Sequence, residues 1–209
     1  VNFQLDNLVT INTGRVDGFL CQRVFSIWQN IGWLFSDFGN GPTYLAGGDD
    51  LYFDRGLGGI RMTSDVEDAT VKIGKMTVTM EETTNIGAIL AEGTNCEITV
   101  GSADFRGSGT HAIKASNGSR VEVDQLTCRN WSVSAGGSAA LYADTGGEII
   151  INSRKPKFAA GGGPYKGTAS GGQVTCQLSG GVYSETTNAS GYLNIPHTPS
   201  FSTAPTAII

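Results

Sequence analysis

Three aspartates within six residues, Asp49, Asp50 and Asp54, stand among the aromatic side chains Trp33, Tyr44 and Tyr52. Carboxylates beside flat apolar rings are the side-chain set of a sugar site, the rings covering pyranose faces and the acids taking hydroxyls. Two carboxyl groups flanking a glycosidic bond also suffice for hydrolysis. One acts as acid and the other as base or nucleophile, about 5–5.5 Å apart for retention or about 6.5–9.5 Å for inversion. On this reading Asp49, Asp50 and Asp54 are the catalytic candidates. Trp33, Asp37, Tyr44, Tyr52 and Arg55 are the substrate-binding candidates. The same stretch also reads as a hydrophobic plug or a subunit contact whose acids are merely solvated.

Other acids are weaker candidates. Asp65, Glu67 and Asp68 fall in a turn before Val71, and Asp104, Glu122 and Asp124 fall at outward positions of adjacent strands, where they could line a groove. Both sets read first as solvated surface, and Glu92 and Asp144 read as turn residues. His111 and His197 are too few and too far apart for a metal centre, and no CxxC spacing is present, so neither a metal nor a cofactor is expected. Cys128 and Cys176 take inward strand positions, where a free thiol packs as a small hydrophobe; disulfides are the alternative.

The elements that must hold these groups repeat. Ala88-Ile89-Leu90-Ala91 leads through a polar turn to Ile98-Thr99-Val100. Ala112-Ile113-Lys114-Ala115 leads likewise to Val121-Glu122-Val123, and Ala140-Leu141-Tyr142-Ala143 to Ile149-Ile150-Ile151. From Ile73 through Val100, Val123 and Ile151 to Cys176 the steps are 27, 23, 28 and 25 residues. Apolar and polar residues alternate inside each block, as in Val71, Ile73, Met76, Val78 and Met80, which is the period of a strand. Glu92-Gly93-Thr94-Asn95, Ser116-Asn117-Gly118-Ser119 and Asp144-Thr145-Gly146-Gly147 have turn chemistry. A coil of about 25 residues cannot bury its inner face alone and must stack on its neighbours. The expected fold is all-β: a right-handed parallel β-helix over residues 1–180, with a β-sandwich of regularly spaced strands as the alternative. An inserted loop is expected at about 33–55, and a C-terminal segment at 181–209. Phe3-Gln4-Leu5, Phe25-Ser26-Ile27 and Leu51-Tyr52-Phe53 read as strands one coil apart. The stretch from Val24 to Phe35 also fits an amphipathic helix, with strand preferred because its flanks are strands.

Composition sets outer bounds. The chain has 209 residues, 30 glycines, 16% charged residues and a net charge of −5. That suits a turn-rich β chain and argues against nucleic-acid binding, which needs clustered Lys and Arg. No apolar run reaches the ~18–20 residues that cross a bilayer as a helix. The chain opens without Met, signal peptide or basic leader, so it is expected to be a piece of a longer polypeptide.

The end of the chain carries a resemblance. Asn188-Ala189-Ser190-Gly191-Tyr192-Leu193-Asn194-Ile195-Pro196-His197, followed by Pro205-Thr206-Ala207-Ile208-Ile209, resembles the junction in bacteriophage tailspike and tail-fibre proteins where a β-helix passes into a small C-terminal β-sandwich. That sandwich normally runs on past the point where this chain stops. The resemblance implies a homotrimeric virion appendage, made in the host cytoplasm, that binds and often depolymerises bacterial capsule or O-antigen. Separately, Gly48-Asp49-Asp50 is similar to the paired-aspartate motif of polygalacturonase-type β-helix hydrolases, though Asn12-Thr13-Gly14 lacks the aspartate expected there and no Gly-His-Gly follows. Whether the chain is an enzyme is left open by its residues; if it is, the expected activity is an endo-glycosidase using two carboxylates. A lyase is the lesser enzymatic option, and a non-enzymatic shaft or adhesin segment is the alternative. A free-standing polysaccharide hydrolase or lyase fits the coil but not the tail.

Overall fold

A computed structural model describes residues 7–183, except 38, 40, 42, 81–85, 134–138, 154–156, 159–165 and 179–180. It is a parallel β-solenoid of about six coils, as the repeat requires. The strands are β1 (Val9–Thr13), β2 (Phe19–Ile27), β3 (Ile31–Phe35), β4 (Leu45–Gly56), β5 (Gly58–Met62), β6 (Thr70–Met80), β7 (Gly87–Ala91) and β8 (Glu97–Gly109). They continue with β9 (His111–Ala115), β10 (Arg120–Val133), β11 (Leu141–Ala143), β12 (Glu148–Ile151), β13 (Lys157–Phe158), β14 (Lys166–Thr168), β15 (Gln173–Leu178) and β16 (Gly181–Tyr183). The short odd-numbered strands β1-β3-β5-β7-β9-β11, followed by β14, form one sheet. The long strands form the other, in the order β16-β15-β12-β10-β8-β6-β4-β2, with β13 beside β10.

Each long strand is bent. In β6 the burial alternates through Val71 and Ile73, then Gly74 and Lys75 are both exposed, and burial resumes at Met76, Val78 and Met80. The same outward pair recurs as Asp49-Asp50, Gly101-Ser102 and Asp124-Gln125, and the inter-strand register skips the first member each time. Two successive outward residues turn the corner and reset the parity of the strand. The cross-section therefore has three faces: one before this corner, one after it, and a third made by the short strands.

Inside, like positions stack. Ala46, Val71, Ile98, Val121, Ile149 and Val174 form one ladder, and Gly48, Ile73, Val100, Val123, Ile151 and Cys176 the next. The second ladder contains the repeat column read from the sequence. The third face contributes Trp33, Ile60, Ile89, Ile113 and Leu141 in register. Small residues complete the fit across the narrow interior. An added Cβ at Gly32 would lie 2.5 Å from the Phe53 ring, and one at Gly59 would run into the Ala88 carbonyl with Met76 Cε at 2.8 Å. Ala88, Ala112 and Ala140 occupy the equivalent place in later coils and are buried.

The turns that return the chain to the long strands are alike. Asn117-Gly118, Thr145-Gly146 and Ser170-Gly171 all have positive φ, the signature of a type I′ turn. Ser119, Gly147 and Gly172 donate back to Ser116, Asp144 and Ala169, and Gly118 and Gly146 donate to the next turn down. His111 is buried, stacked on Tyr142 at 4.9 Å, and its Nδ1 donates to the Ala139 carbonyl at 2.8 Å. Burial pushes its imidazole pKa down, so the neutral ring is the form that packs. All four cysteines are free, with Cys96, Cys128 and Cys176 buried.

Several sequence expectations change here. The stretch 33–55 is not one inserted loop: it holds the end of β3 and most of β4, both in register with their neighbours, and only 36–44 lies between strands. The preferred strand reading of Val24–Phe35 holds, as strand, break and strand, and the helix alternative falls. Phe25-Ser26-Ile27 and Leu51-Tyr52-Phe53 do lie on adjacent coils, with Phe25 paired to Tyr52 at a period of 27. Phe3-Gln4-Leu5 lies outside the described residues. So does the expected 181–209 junction beyond β16, which itself pairs antiparallel with β15.

Two substitutions test this packing. Gly59→Ala should lower stability by about 1–3 kcal/mol, as overpacking does, measured by denaturant unfolding; an unchanged midpoint would show that the interior gives way freely. Thr145, a β-branched residue at φ 47°, should improve as Thr145→Asn by about 0.5–1 kcal/mol, read as a higher Tm. A lower Tm would mean the Thr145 side chain makes a contact worth more than its backbone strain.

Candidate functional site

With inward positions filled by the core, chemistry is confined to outward positions. After the corner, β4 presents Asp50, Tyr52 and Asp54 at alternate positions on one face. β2 places Arg23, Phe25 and Ile27 beside them in register. On the other side come Lys75, Thr77 and Thr79 of β6, then Ser102, Asp104 and Arg106 of β8. The result is a flat grid, apolar at the β2 end and polar further along.

The apolar end is built around two aromatic contacts. Phe25 and Tyr52 meet edge to face with centroids 5.3 Å apart, and Phe25 remains 63% exposed. At the end of the same strands, Trp28 and Arg55 occupy equivalent places in successive coils, and the Trp28 amide donates to the Asp54 carbonyl at 3.0 Å. Both take positive φ, 64° and 54°, a conformation that costs a non-glycine residue about 1–2 kcal/mol. The Arg55 guanidinium lies 5.4 Å over the Trp28 ring, a cation–π contact that offsets part of that cost. Phe25, Trp28, Tyr52, Asp54 and Arg55 thus form one surface patch on two adjacent coils. Further along, Arg106 and Asp104 pair at 2.6 Å, and the hydrogen bond to Asp104 holds the guanidinium more firmly protonated than usual.

The expected site residues divide. Asp50, Tyr52, Asp54 and Arg55 come together on this face. Asp49 sits on the corner, exposed. Trp33 does not belong to the surface at all: it is fully buried, stacks on Phe35 at 4.8 Å, and donates its Nε1–H to Thr13 Oγ1 at 3.2 Å. Its ring is core and has no face to offer a sugar. Tyr44 is exposed, but it precedes β4 and lies before the corner rather than after it. Asp37 lies in the connection after β3, where its carboxylate accepts from the Gly41 amide.

Asp50 and Asp54 do not stand at the spacing of an acid/base pair. Asp50 and Asp54 are four residues apart on an extended strand, about 13 Å at 3.3 Å per residue, against the ~5–9.5 Å that glycoside hydrolysis uses. The outward neighbours of Asp50 across the sheet are Arg23 and Lys75, not acids. The other acid sets are structural. Asp104 lies after the corner, Asp124 on it and Glu122 before it, so they do not line one groove. Glu122 pairs with Arg120 at 2.7 Å and accepts from Asn152, which also reaches Asp124. Glu92 lies between Arg61 at 3.1 Å and Lys114 at 3.2 Å. Among the described residues no cluster of His, Cys, Asp or Glu could hold a metal ion.

Phe25 and Trp28 were missed in the sequence. The signal was present: a shift of 27 residues lays Phe25 on Tyr52 and Trp28 on Arg55. Comparison with protein-family models, curated proteins and solved structures finds no match to this chain.

Asp65 illustrates an acid with a structural role. Its carboxylate accepts from the Thr63 hydroxyl, from Ser36 Oγ at 3.1 Å and from the Asp37 amide at 3.1 Å, tying the 36–37 segment to the next turn. Chiefly through Thr63, these bonds lower its pKa below the ordinary value. A carboxyl lowered from about 3.9 on folding stabilises the fold fully above that value and loses the contribution as pH falls through the lowered one. Asp65→Asn should therefore lower Tm by no more than about 2–4 °C near pH 6, since the group is exposed. The gap to the parent should close in acid; a gap that persists at pH 2 would overturn the ionic account.

Proposed function

We propose that this chain is a β-helical segment of a phage tailspike or tail-fibre protein that binds bacterial surface polysaccharide, capsule or O-antigen, during host adsorption. The carrying observation is the outward patch of Phe25, Trp28 and Tyr52 with Asp54 and Arg55. The exposed Phe25 and Tyr52 rings, with half-buried Trp28 beside them and a carboxylate and a guanidinium at the edge, match the stacking and hydroxyl-bonding needs of a sugar chain. The coiled architecture and the Asn188–His197 resemblance supply the family context: a homotrimer with right-handed coils, carried on the virion and assembled in the host cytoplasm. Free buried thiols fit assembly in a reducing compartment.

Binding without cleavage is the form of this reading that the geometry favours. Asp50 and Asp54 stand too far apart for a glycosidase pair, so a depolymerase would need a different partner acid, Asp49 or one from a neighbouring subunit included. Stacking sites tolerate this division, since ring contacts hold a glycan without touching its glycosidic bonds.

The test is to incubate the purified chain with a panel of bacterial surface polysaccharides, measuring retention and new reducing ends together. Retention without new reducing ends is expected. Trp28→Ala and Tyr52→Ala should each weaken retention about tenfold, equivalent to about 1.4 kcal/mol, while thermal unfolding shows both variants still folded at the assay temperature. New reducing ends that disappear in Asp50→Asn or Asp54→Asn would restore the hydrolase reading, and indifference to every glycan would leave a shaft segment.

A further inference from the structure

The outward column of the short-strand sheet runs Leu34, Arg61, Leu90, Lys114, Tyr142 and Gly167. Tyr142 is its one aromatic ring. Along β11 it is half-buried between the buried Leu141 and Ala143, so the core does not require it. The Tyr142 ring lies almost parallel to the His111 imidazole, with 11° between planes and 4.9 Å between centroids. His111 is buried, and its Nδ1–H donates to the Ala139 carbonyl. The imidazole is thus a fixed floor, and the tyrosine ring lies flat on it with the other face left to solvent. An added Cβ at Gly167 would lie 3.2 Å from Tyr142 Cδ2. Glycine at that position lets the ring lean across the next coil instead of standing upright.

Polar groups flank this ring. Asp144, two residues on, has no hydrogen-bond or ion-pair partner for its carboxylate among the described residues. Lys114 gives one bond to Glu92 Oε1 at 3.2 Å, and an ammonium carries three donors, so two remain. Lys114, Asp144 and Glu92 all lie close enough to His111 to act on its charge, which sets them around the stacked pair. With Arg61 on Glu92 at 3.1 Å, two cations balance two carboxylates. A polyanion or polycation would need an excess of one sign. A flat ring edged by an open acceptor and open donors, with no net charge, instead matches an uncharged pyranose with neighbouring hydroxyls.

We infer that Tyr142, Asp144 and Lys114 form a second glycan-contact site, taking an uncharged pyranose unit by ring stacking and hydroxyl hydrogen bonds. This rests on the reading of the chain as a polysaccharide binder and names the sugar class for a further contact. The site lies four coils from Tyr52, about 19 Å along the axis at about 4.8 Å per coil, and on a different face. A short oligosaccharide engages one site at a time, whereas a cell surface dense in polysaccharide engages both and gains avidity.

Retention of the full chain on an immobilised panel of neutral and acidic bacterial surface polysaccharides is the test. Tyr142→Ala and Asp144→Asn should each weaken retention about tenfold. Combining Tyr142→Ala with Trp28→Ala should weaken it about a hundredfold, because distant sites act independently. Asp144 serves its turn through backbone groups, accepting from the Gly147 amide and donating to the Ala115 carbonyl. Asp144→Asn therefore separates a lost contact from a lost fold, and Tyr142→Phe, which keeps the stacked ring, should retain most of the binding. If Trp28→Ala weakens retention while Tyr142→Ala and Asp144→Asn bind like the parent, this inference falls and the proposed function stands. The reverse pattern keeps this site and removes the aromatic patch. Retention confined to polymers of charged sugars alone overturns the sugar class, and a parent chain held by no glycan overturns both readings.

Discussion

The structure depends on one steric constraint: a coil of about 25 residues encloses an interior only as wide as one large side chain facing one small one. Phe53 lies against Gly32, and Met76 and Val78 lie against Gly59. The ladders of Ile and Val along the remaining face can therefore be uniform, while the pairs across the width must be complementary. Near-crystalline packing follows from this narrowness, because a single misplaced methyl has no void to enter. It also explains why Ala88, Ala112 and Ala140 recur at one position of the repeat, each followed by Ile or Leu.

That constraint decides what could be read from the sequence. The column Ile73, Val100, Val123, Ile151 and Cys176 was legible because inward positions tolerate only apolar residues, and its uneven steps are the true register. The turns at Asn117-Gly118 and Thr145-Gly146 were legible from their chemistry. The region 33–55 was not, for a physical reason. Its inward residues are aromatics and glycines in place of Ile and Val, so strands β3 and β4 resemble an aromatic loop. Trp33 misled in the same way: a Trp just ahead of the loop residues Ser36-Asp37 and Gly39-Asn40-Gly41-Pro42 looks like a sugar platform, and only the ladder that includes Ile60 and Ile89 shows it to be core. The carboxylates were correctly placed on a surface, yet residue spacing along an extended strand sets Asp50 and Asp54 too far apart to act together. Phe25 and Trp28 required the register before they could be seen at all.

Outward positions carry no such packing demand, and they differ from coil to coil. Across the sheet, one outward column runs from Phe25 and Tyr52 to Thr77, Asp104 and Thr127. Since each coil contacts only its neighbours, a surface of one character can be confined to two coils without altering the stability of the rest. The positive φ values at Trp28 and Arg55 belong to this pattern. They place a large ring and a guanidinium at the outer rim of the strands. Backbone strain of that kind persists only where the surroundings hold it, and here the ladder on one side and the cation–π contact on the other do so.

The gradient of exposed apolar surface then has a consistent cause. Coils from β6 onward bury their inward residues on both sides and display Thr, Asp, Lys and Arg outward, so they are self-sufficient in water. The first described coil, β1 with β2, is paired on one side only among the described residues, and its outward positions mix Leu20, Phe25 and Ile27 with Gln22 and Arg23.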